Sequence, residues 1–302
     1  MISNKPLSEL ILFKTKDGSL SLRSALYKEN FHSNIGAFEE TKLKFTNPSN
    51  LKKFKNKSIN VLDICFGLGY NSASLFTEII KQNSFINWYA LEIDKTPLQY
   101  SLGSKSFNEL WDPKVKKIFK SLHQSDKFID SNFNCNILWG DARKKIIAIP
   151  SEINFDLIYL DGFSPQKCPM LWSVEFLSKV RNKLSSQGSL ITYSSSAALR
   201  NTLRGLGLEI FNIKPELFSE KKWSNGTVAI KDFNNFQVSE NSFLEKLSIR
   251  EEEHLLTKAS IPYRDPNLIS TKKEILQTRV KEQLFSKLCN TKNWRKKWGM
   301  TK

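Results

Sequence analysis

Histidine and cysteine are scarce in this chain, three and four residues among 302. None of the histidines, His32, His123 and His254, lies at metal-ligand spacing from a second histidine or a cysteine. That argues against a zinc site and against a Ser-His-Asp hydrolase. The cysteines, Cys65, Cys135, Cys168 and Cys289, are scattered and form no C-x-x-C pair, so they read as reduced thiols in a cytoplasm. No apolar run is long enough to span a bilayer, and the N-terminus lacks a signal-peptide core; the expectation is a cytoplasmic protein with no membrane attachment. Acids are also in deficit: 30 Asp and Glu stand against 46 Lys and Arg, a net charge of +16 and a pI of about 9.6. Such a balance favours a polyanionic partner, although a generally solvated basic surface would give the same number.

Periodicity divides the rest. Residues 1–55 mix short apolar pieces with polar turns, and Thr15-Lys16-Asp17-Gly18-Ser19 predicts a hairpin between Leu10 to Phe13 and Leu20 to Arg23. This is an N-terminal appendage. Residues 56–232 alternate short β-rich runs (Ile59 to Ile64, Phe85 to Leu91, Asn136 to Trp139, Phe155 to Leu160, Ser189 to Tyr193) with helical connections, the pattern of an α/β fold with a mostly parallel sheet. A helix over Ala197 to Leu206 and a closing antiparallel pair, Leu208 to Ile213 with Gly226 to Ile230, complete this core. Residues 233–302 form a helical, basic extension that begins with the polar Asn234-Asn235-Phe236-Gln237 and includes a helix from Lys272 to Leu288. Its end, Lys292 to Trp298, interleaves bases with indoles. That tail suits phosphate contacts and stacking, or equally an end whose tryptophans dock on the body.

The chemistry starts at Val61 to Asn71, where an apolar run, Asp63 and two glycines, Gly67 and Gly69, precede a helical pattern. The missing Cβ atoms let a ligand lie against the backbone. Glu92 follows about 20 residues on, where a ribose hydroxyl pair needs a carboxylate. Ser72 replaces the third glycine and no arginine follows for a phosphate, so S-adenosylmethionine fits better than NAD. Asp141 ends the third strand, placed both to accept from an adenine amine and to cap the next helix. Asp161 ends the fourth strand, where open α/β sheets hold ligands, and a proline-bounded loop carrying Phe163, Pro165, Lys167 and Trp172 follows. A carboxylate there would hold a substrate amine and help remove its proton, which makes Asp161 the preferred catalytic residue. Glu39 and Glu40 read first as the solvated start of a helix.

The set Asp-x-x-Phe-Gly-x-Gly-x-Asn (Asp63 to Asn71), Gly140-Asp141-Ala142 and Leu160-Asp161-Gly162-Phe163-Ser164-Pro165, with Lys167, Pro169 and Trp172, resembles the methyltransferase domain of the MnmC family of tRNA-modifying enzymes. The likeness covers residues 30–232, and Ile261 to Pro266 is similar to the free-standing members. It implies a Rossmann-like class I S-adenosylmethionine-dependent methyltransferase with a mostly parallel seven-stranded sheet. The activity implied is methylation of 5-aminomethyl-2-thiouridine at the wobble position of tRNA. The resemblance implies cofactor contacts from Asp63, Phe66, Gly67, Gly69, Asn71, Glu92, Asp141 and Glu40, and an acceptor amine at Asp161. The FAD-dependent oxidase domain that prepares the amine in the bifunctional enzyme has no glycine fingerprint here, so a separate enzyme is expected to supply the aminomethyl-uridine. No metal is expected. A second reading is a spermidine-synthase type aminopropyltransferase, against which a chain at +16 would repel polyamines.

Overall fold

The computed structural model describes residues 9–214, 224–232 and 242–300. The polar stretch 234–237 lies outside them, as does most of the loop before Gly226. The chain forms two compact units, Met1–Phe163 and Ser164–Lys302, the division falling inside the loop after Asp161.

In the first unit the expected hairpin pairs β1 (Leu10–Lys14) with β2 (Leu20–Ser24), and β3 (Glu29–Asn30) adds a third antiparallel strand. A short helix α1 (Ala37–Thr41) then continues into a π-helical turn over Lys42–Thr46. Five strands follow, β4 (Ser58–Ile64), β5 (Phe85–Glu92), β6 (Lys127–Ile129), β7 (Phe133–Trp139) and β8 (Phe155–Leu160), ordered β6-β7-β5-β4-β8. All their pairings are parallel except β6 with β7. Helices α2 (Tyr70–Gln82), α3 (Thr96–Gly103), α4 (Lys105–Asn108), α5 (Pro113–Ser125) and α6 (Ala142–Lys145) make the connections. Apolar runs such as Val61-Leu62 and Ile158-Tyr159-Leu160 are buried completely, as strands covered on both faces require. Behind β4 and β5 the rings of Phe66, Phe76, Trp88, Phe119 and Phe133 close a core by edge contacts, with Phe66 5.2 Å from Phe119 and 5.7 Å from Trp88. Register aligns Ile64 with Leu91 and Leu160, and Glu92 with Trp139. The carboxyl ends of four strands therefore share one edge, where such sheets hold ligands.

The second unit carries α7 (Val174–Asn182), β9 (Leu184–Thr192), α8 (Ala197–Gly205), β10 (Glu209–Ile213), β11 (Thr227–Ile230), β12 (Leu244–Lys246), α9 (Ile249–Leu255), α10 (Lys272–Phe285) and α11 (Thr291–Lys297). Its strands pair antiparallel in the order β9-β11-β10-β12. Among the described residues these four strands and the five of the first unit exceed the seven expected; the additions are the short edge strands β6 and β12, too brief to leave a hydrophobic signature. Among the described residues no helix is long and apolar enough to cross a membrane.

Packing decides the question of the C-terminal indoles. Trp294 is buried, stacks on His254 with ring centres 4.1 Å apart, and donates its Nε1–H to the Arg250 carbonyl at 3.0 Å. Trp298 donates to Glu253 Oε2 at 2.9 Å, beside an ion pair from Lys297 to the same carboxylate. The tail is a helix docked on α9, and its Trp294 face is already used.

Candidate active site

Between β4 and α2 the backbone enters the left-handed region three times, at Cys65 (φ +71°), Gly67 (φ +57°) and Gly69 (φ +86°). For a cysteine this conformation costs about 1–2 kcal/mol. The turn is held by Cys65 N–H donating to the Leu91 carbonyl at 2.9 Å, Gly67 N–H to Glu92 Oε2 at 2.8 Å and Gly69 N–H to the Phe66 carbonyl at 2.9 Å. The two glycines serve different purposes. A Cβ at Gly67 would stand in ordinary contact with the Phe31 ring at 3.5 Å, so there it is the left-handed φ rather than a lack of space that favours glycine. A Cβ at Gly69 would fall 2.5 Å from Phe119 and 2.6 Å from Phe66, so the ring cluster behind the turn requires that glycine. Phe66 itself belongs to this cluster; its side chain is in the core, and only its backbone shapes the turn. Gly69→Ala is expected to lose about 2–4 kcal/mol of stability in urea titration, from overpacking plus left-handed strain. Unchanged stability with weakened cofactor binding would instead place the ligand against Gly69.

Acids occupy the strand ends. Glu92 is buried; Oε2 takes the Gly67 N–H, and Oε1 takes the N–H groups of Ile93 at 2.6 Å and Asp94 at 3.0 Å. Burial raises its pKa against those three donors, and a carboxylate with about four acceptor positions has room for another. Asp63 is fully buried; Oδ2 accepts from Ser72 Oγ at 2.6 Å, and Ser72 Oγ accepts from Trp88 Nε1 at 2.9 Å. Burial pushes Asp63 up to about 7, opposed by the Ser72 bond and assisted by the Glu92 charge. Its Oδ1 is an orphaned buried acceptor, a state that costs free energy until a donor arrives. Asp141 caps α6 through Oδ1 to the Arg143 N–H at 2.9 Å, and Arg143 pairs with its Oδ2 at 2.7 Å. The capping use is therefore realised.

Asp161 follows β8, its N–H bonded to the Ile64 carbonyl at 3.0 Å. Its Oδ2 accepts from Asn71 Nδ2 at 2.8 Å, and Asn71 Oδ1 accepts from the buried Thr41 hydroxyl at 2.8 Å. Thr41 thus fixes which end of the amide faces the carboxylate. Burial pushes Asp161 up to about 7, helped by the charges of Glu40 and Asp63 and resisted by the Asn71 bond and Lys44. Glu40 accepts from the Ser33 N–H at 2.7 Å and pairs with Lys44. Burial works to raise the Glu40 pKa, but Lys44, His32 and the Ser33 N–H together hold it below its ordinary value. His32, brought down to about 4 by burial, is neutral and bonds Ser21 Oγ at 3.0 Å. Glu39 faces solvent beside Lys42, so of the acidic pair only Glu40 turns inward.

The structure gathers Asp63, Gly67, Asn71, Glu92, Asp141, Asp161 and Glu40 at or beside one sheet edge. Sequence reasoning missed Thr41, Lys44 and His32; the Glu40/Lys44 spacing of four was the available signal for one of them. Phe163 stacks on Tyr27 and stands edge-on to Phe31. Pro165, Lys167 and Trp172 fall in the second unit. There the Lys167 and Cys168 N–H groups close a turn on the Ser164 carbonyl, and Trp172 is wholly buried, 6.3 Å edge-on from Tyr193.

An orphaned acceptor at Asp63, the glycine turn beside it and the carboxylates of Glu92 and Asp141 suit a ligand with an ammonium, a ribose diol and an exocyclic amine. A family model described as S-adenosyl-L-methionine-dependent methyltransferase matches residues 105–231. Fold and site define a Rossmann-like methyltransferase whose methyl donor is S-adenosyl-L-methionine. Over 284 residues the chain is 30% identical to the uncharacterized protein MJ0670 of Methanocaldococcus jannaschii, covering 93% of this chain and 75% of that one. It is 28% identical over 229 residues to the tRNA 5-methylaminomethyl-2-thiouridine biosynthesis bifunctional protein MnmC of Campylobacter hominis, 70% of this chain and 33% of that protein. The chain thus spans about a third of the length of that bifunctional relative. The crystal structure of MnmC2 from Aquifex aeolicus superposes with a TM-score of 0.77 at 28% identity, over 92% of this chain and 86% of that one. The chain belongs to the MnmC-like family of S-adenosyl-L-methionine-dependent methyltransferases.

Proposed function

We propose that the protein methylates the primary amine of 5-aminomethyl-(2-thio)uridine at the wobble position of tRNA, giving the 5-methylaminomethyl nucleoside. The observation that carries the reading is Asp161, a carboxylate at a strand end, oriented by Asn71 and brought close to neutrality. An acceptor of that strength suits an amine that must lose a proton as it forms a new N–C bond. The relatives named for 5-methylaminomethyl-2-thiouridine biosynthesis supply the substrate class, and a net charge of +16 suits a polyphosphate partner.

When bound, S-adenosylmethionine supplies an electrophilic methyl group on a sulfonium. The Gly67 backbone and Asp63 would hold its methionine end, Glu92 its ribose and Asp141 its adenine. Asp161 accepts a hydrogen bond from the substrate nitrogen, keeps that lone pair aimed, and takes the proton released. Fixed orientation supplies much of the acceleration. The aminomethyl group arrives already made, by an activity other than methyl transfer. Location in the cytoplasm follows from this substrate.

Labelled S-adenosylmethionine, purified protein and tRNA carrying unmethylated aminomethyl-uridine should yield label in one nucleoside, identified by mass spectrometry as the 5-methylaminomethyl form. Label in any other nucleoside, or none, sinks the assignment.

A further inference from the structure

We infer that Tyr27, Phe31 and Phe163 form a stacking platform that receives a nucleobase beside Asp161, an inference that rests on the RNA substrate proposed above. Tyr27 and Phe163 lie nearly parallel, ring centres 4.4 Å apart with 22° between planes, and Phe31 stands at 83° to Phe163 at 5.1 Å. A parallel pair flanked by an upright ring is a stack that another planar π-system can extend, with the upright ring limiting sideways movement.

Placement ties the platform to the chemistry. Phe163 is two residues past Asp161, and Phe31 lies against the glycine turn, 3.5 Å from where a Cβ at Gly67 would stand. Degree of closure distinguishes these rings from core. Phe66, Phe76, Trp88, Phe119 and Phe133 are buried to within 4% of complete, whereas Tyr27, Phe31 and Phe163 are only partly covered. Rings that merely pinned the hairpin to the body would gain most by closing in the same way.

The hairpin presents them firmly. Phe31 N–H bonds the Leu22 carbonyl at 2.8 Å, Tyr27 N–H bonds Ser24 Oγ at 3.2 Å, and Arg23 bonds Asn30 across β2 and β3 at 3.0 Å. Exposed Lys28 follows Tyr27 at φ +53°, a left-handed position that tightens the turn. An aromatic face followed by an exposed cation is the pairing that grips an unstacked base and the phosphate next to it. A wobble base must leave its stack before a group on its ring reaches Asp161, and the platform gives the extruded ring a new π-face.

Direct binding tests this without turnover. Fluorescence anisotropy with a labelled anticodon stem-loop and with oligouridylate should show Tyr27→Leu weakening both by roughly tenfold, with Tyr27→Phe restoring affinity and S-adenosylmethionine binding by calorimetry unchanged in both. Tyr27→Trp should bind at least as tightly as the parent. Equal RNA affinity for Tyr27→Leu and parent overturns the platform, as does a parallel fall in melting temperature and cofactor affinity, which marks a structural ring. A parent that binds both RNAs through Tyr27 yet transfers no methyl to aminomethyl-uridine leaves the platform standing and overturns only the proposed substrate.

Discussion

Asp161→Asn should lower the methyl-transfer rate by about 10²- to 10⁴-fold while changing the dissociation constant of S-adenosylmethionine by less than about threefold. The amide keeps the volume of the carboxylate and can still accept from Asn71 Nδ2, so the recess survives while the proton acceptor is lost. Equal loss of turnover and cofactor affinity would reduce Asp161 to a structural role. The pH profile supplies a second readout. With Asp161 pushed up to about 7, the parent's kcat/KM should rise as pH passes about 7 and the acid ionises, and Asp161→Asn should lack that limb. Stability runs the other way. Asp161 and Asp63 both have folded pKa values near 7, above the roughly 3.9 of an unfolded aspartate. Between those values the folded state holds more protons, so their contribution is fully present below about pH 4 and is lost as pH rises through about 7. Ligand-free protein should therefore melt at higher temperature at pH 9 in Asp161→Asn than in the parent.

Strand ends were readable because each ends an apolar run on an acid or a glycine: Glu92 after Tyr89-Ala90-Leu91, Asp161 after Ile158-Tyr159-Leu160. Parallel strands buried on both faces write such runs without alternation. The partners of those acids were not readable, since Thr41, Asn71 and Asp161 are 30 and 90 residues apart and only the packed fold brings them together. Gly69 was legible as a turn glycine, yet its reason lay in Phe119, a ring 50 residues away. The π-helical turn over Lys42–Thr46 has no local signature, although it carries Lys44 toward Glu40. At the C-terminus the composition of Lys292 to Trp298 allowed two outcomes, and His254 and Glu253 selected docking.

Arg200→Met should destabilise the protein by about 3–5 kcal/mol, the cost of stripping one partner from a buried ion pair. Arg200 on α8 is 1% exposed and spends its guanidinium on five partners: Nη1 to Glu251 Oε1 at 2.9 Å, Nε to Thr227 Oγ1 at 2.9 Å, and Nη2 to Asn212 Oδ1 at 2.6 Å, the Ser224 hydroxyl at 3.1 Å and the Gly226 carbonyl at 3.1 Å. Glu251 is the N3 residue of the α9 capping box and also accepts from Asn212 and Ser248. Burial alone would raise the Glu251 pKa, but the bonds from Ser248, Arg200 and Asn212 outweigh it and lower the pKa. Its contribution is present above the unfolded glutamate value and fades as pH falls through the depressed one. Removing Arg200 leaves a buried carboxylate with donors but no counter-charge, whereas removing both charges leaves only packing and the polar groups to satisfy. Arg200→Met combined with Glu251→Leu should therefore be more stable than the sum of the two single losses predicts. Urea titration of the parent, both single variants and the double variant measures the coupling directly. Strict additivity would mean that α9 is held on β10 and β11 by its apolar face, with the ion pair contributing nothing of its own.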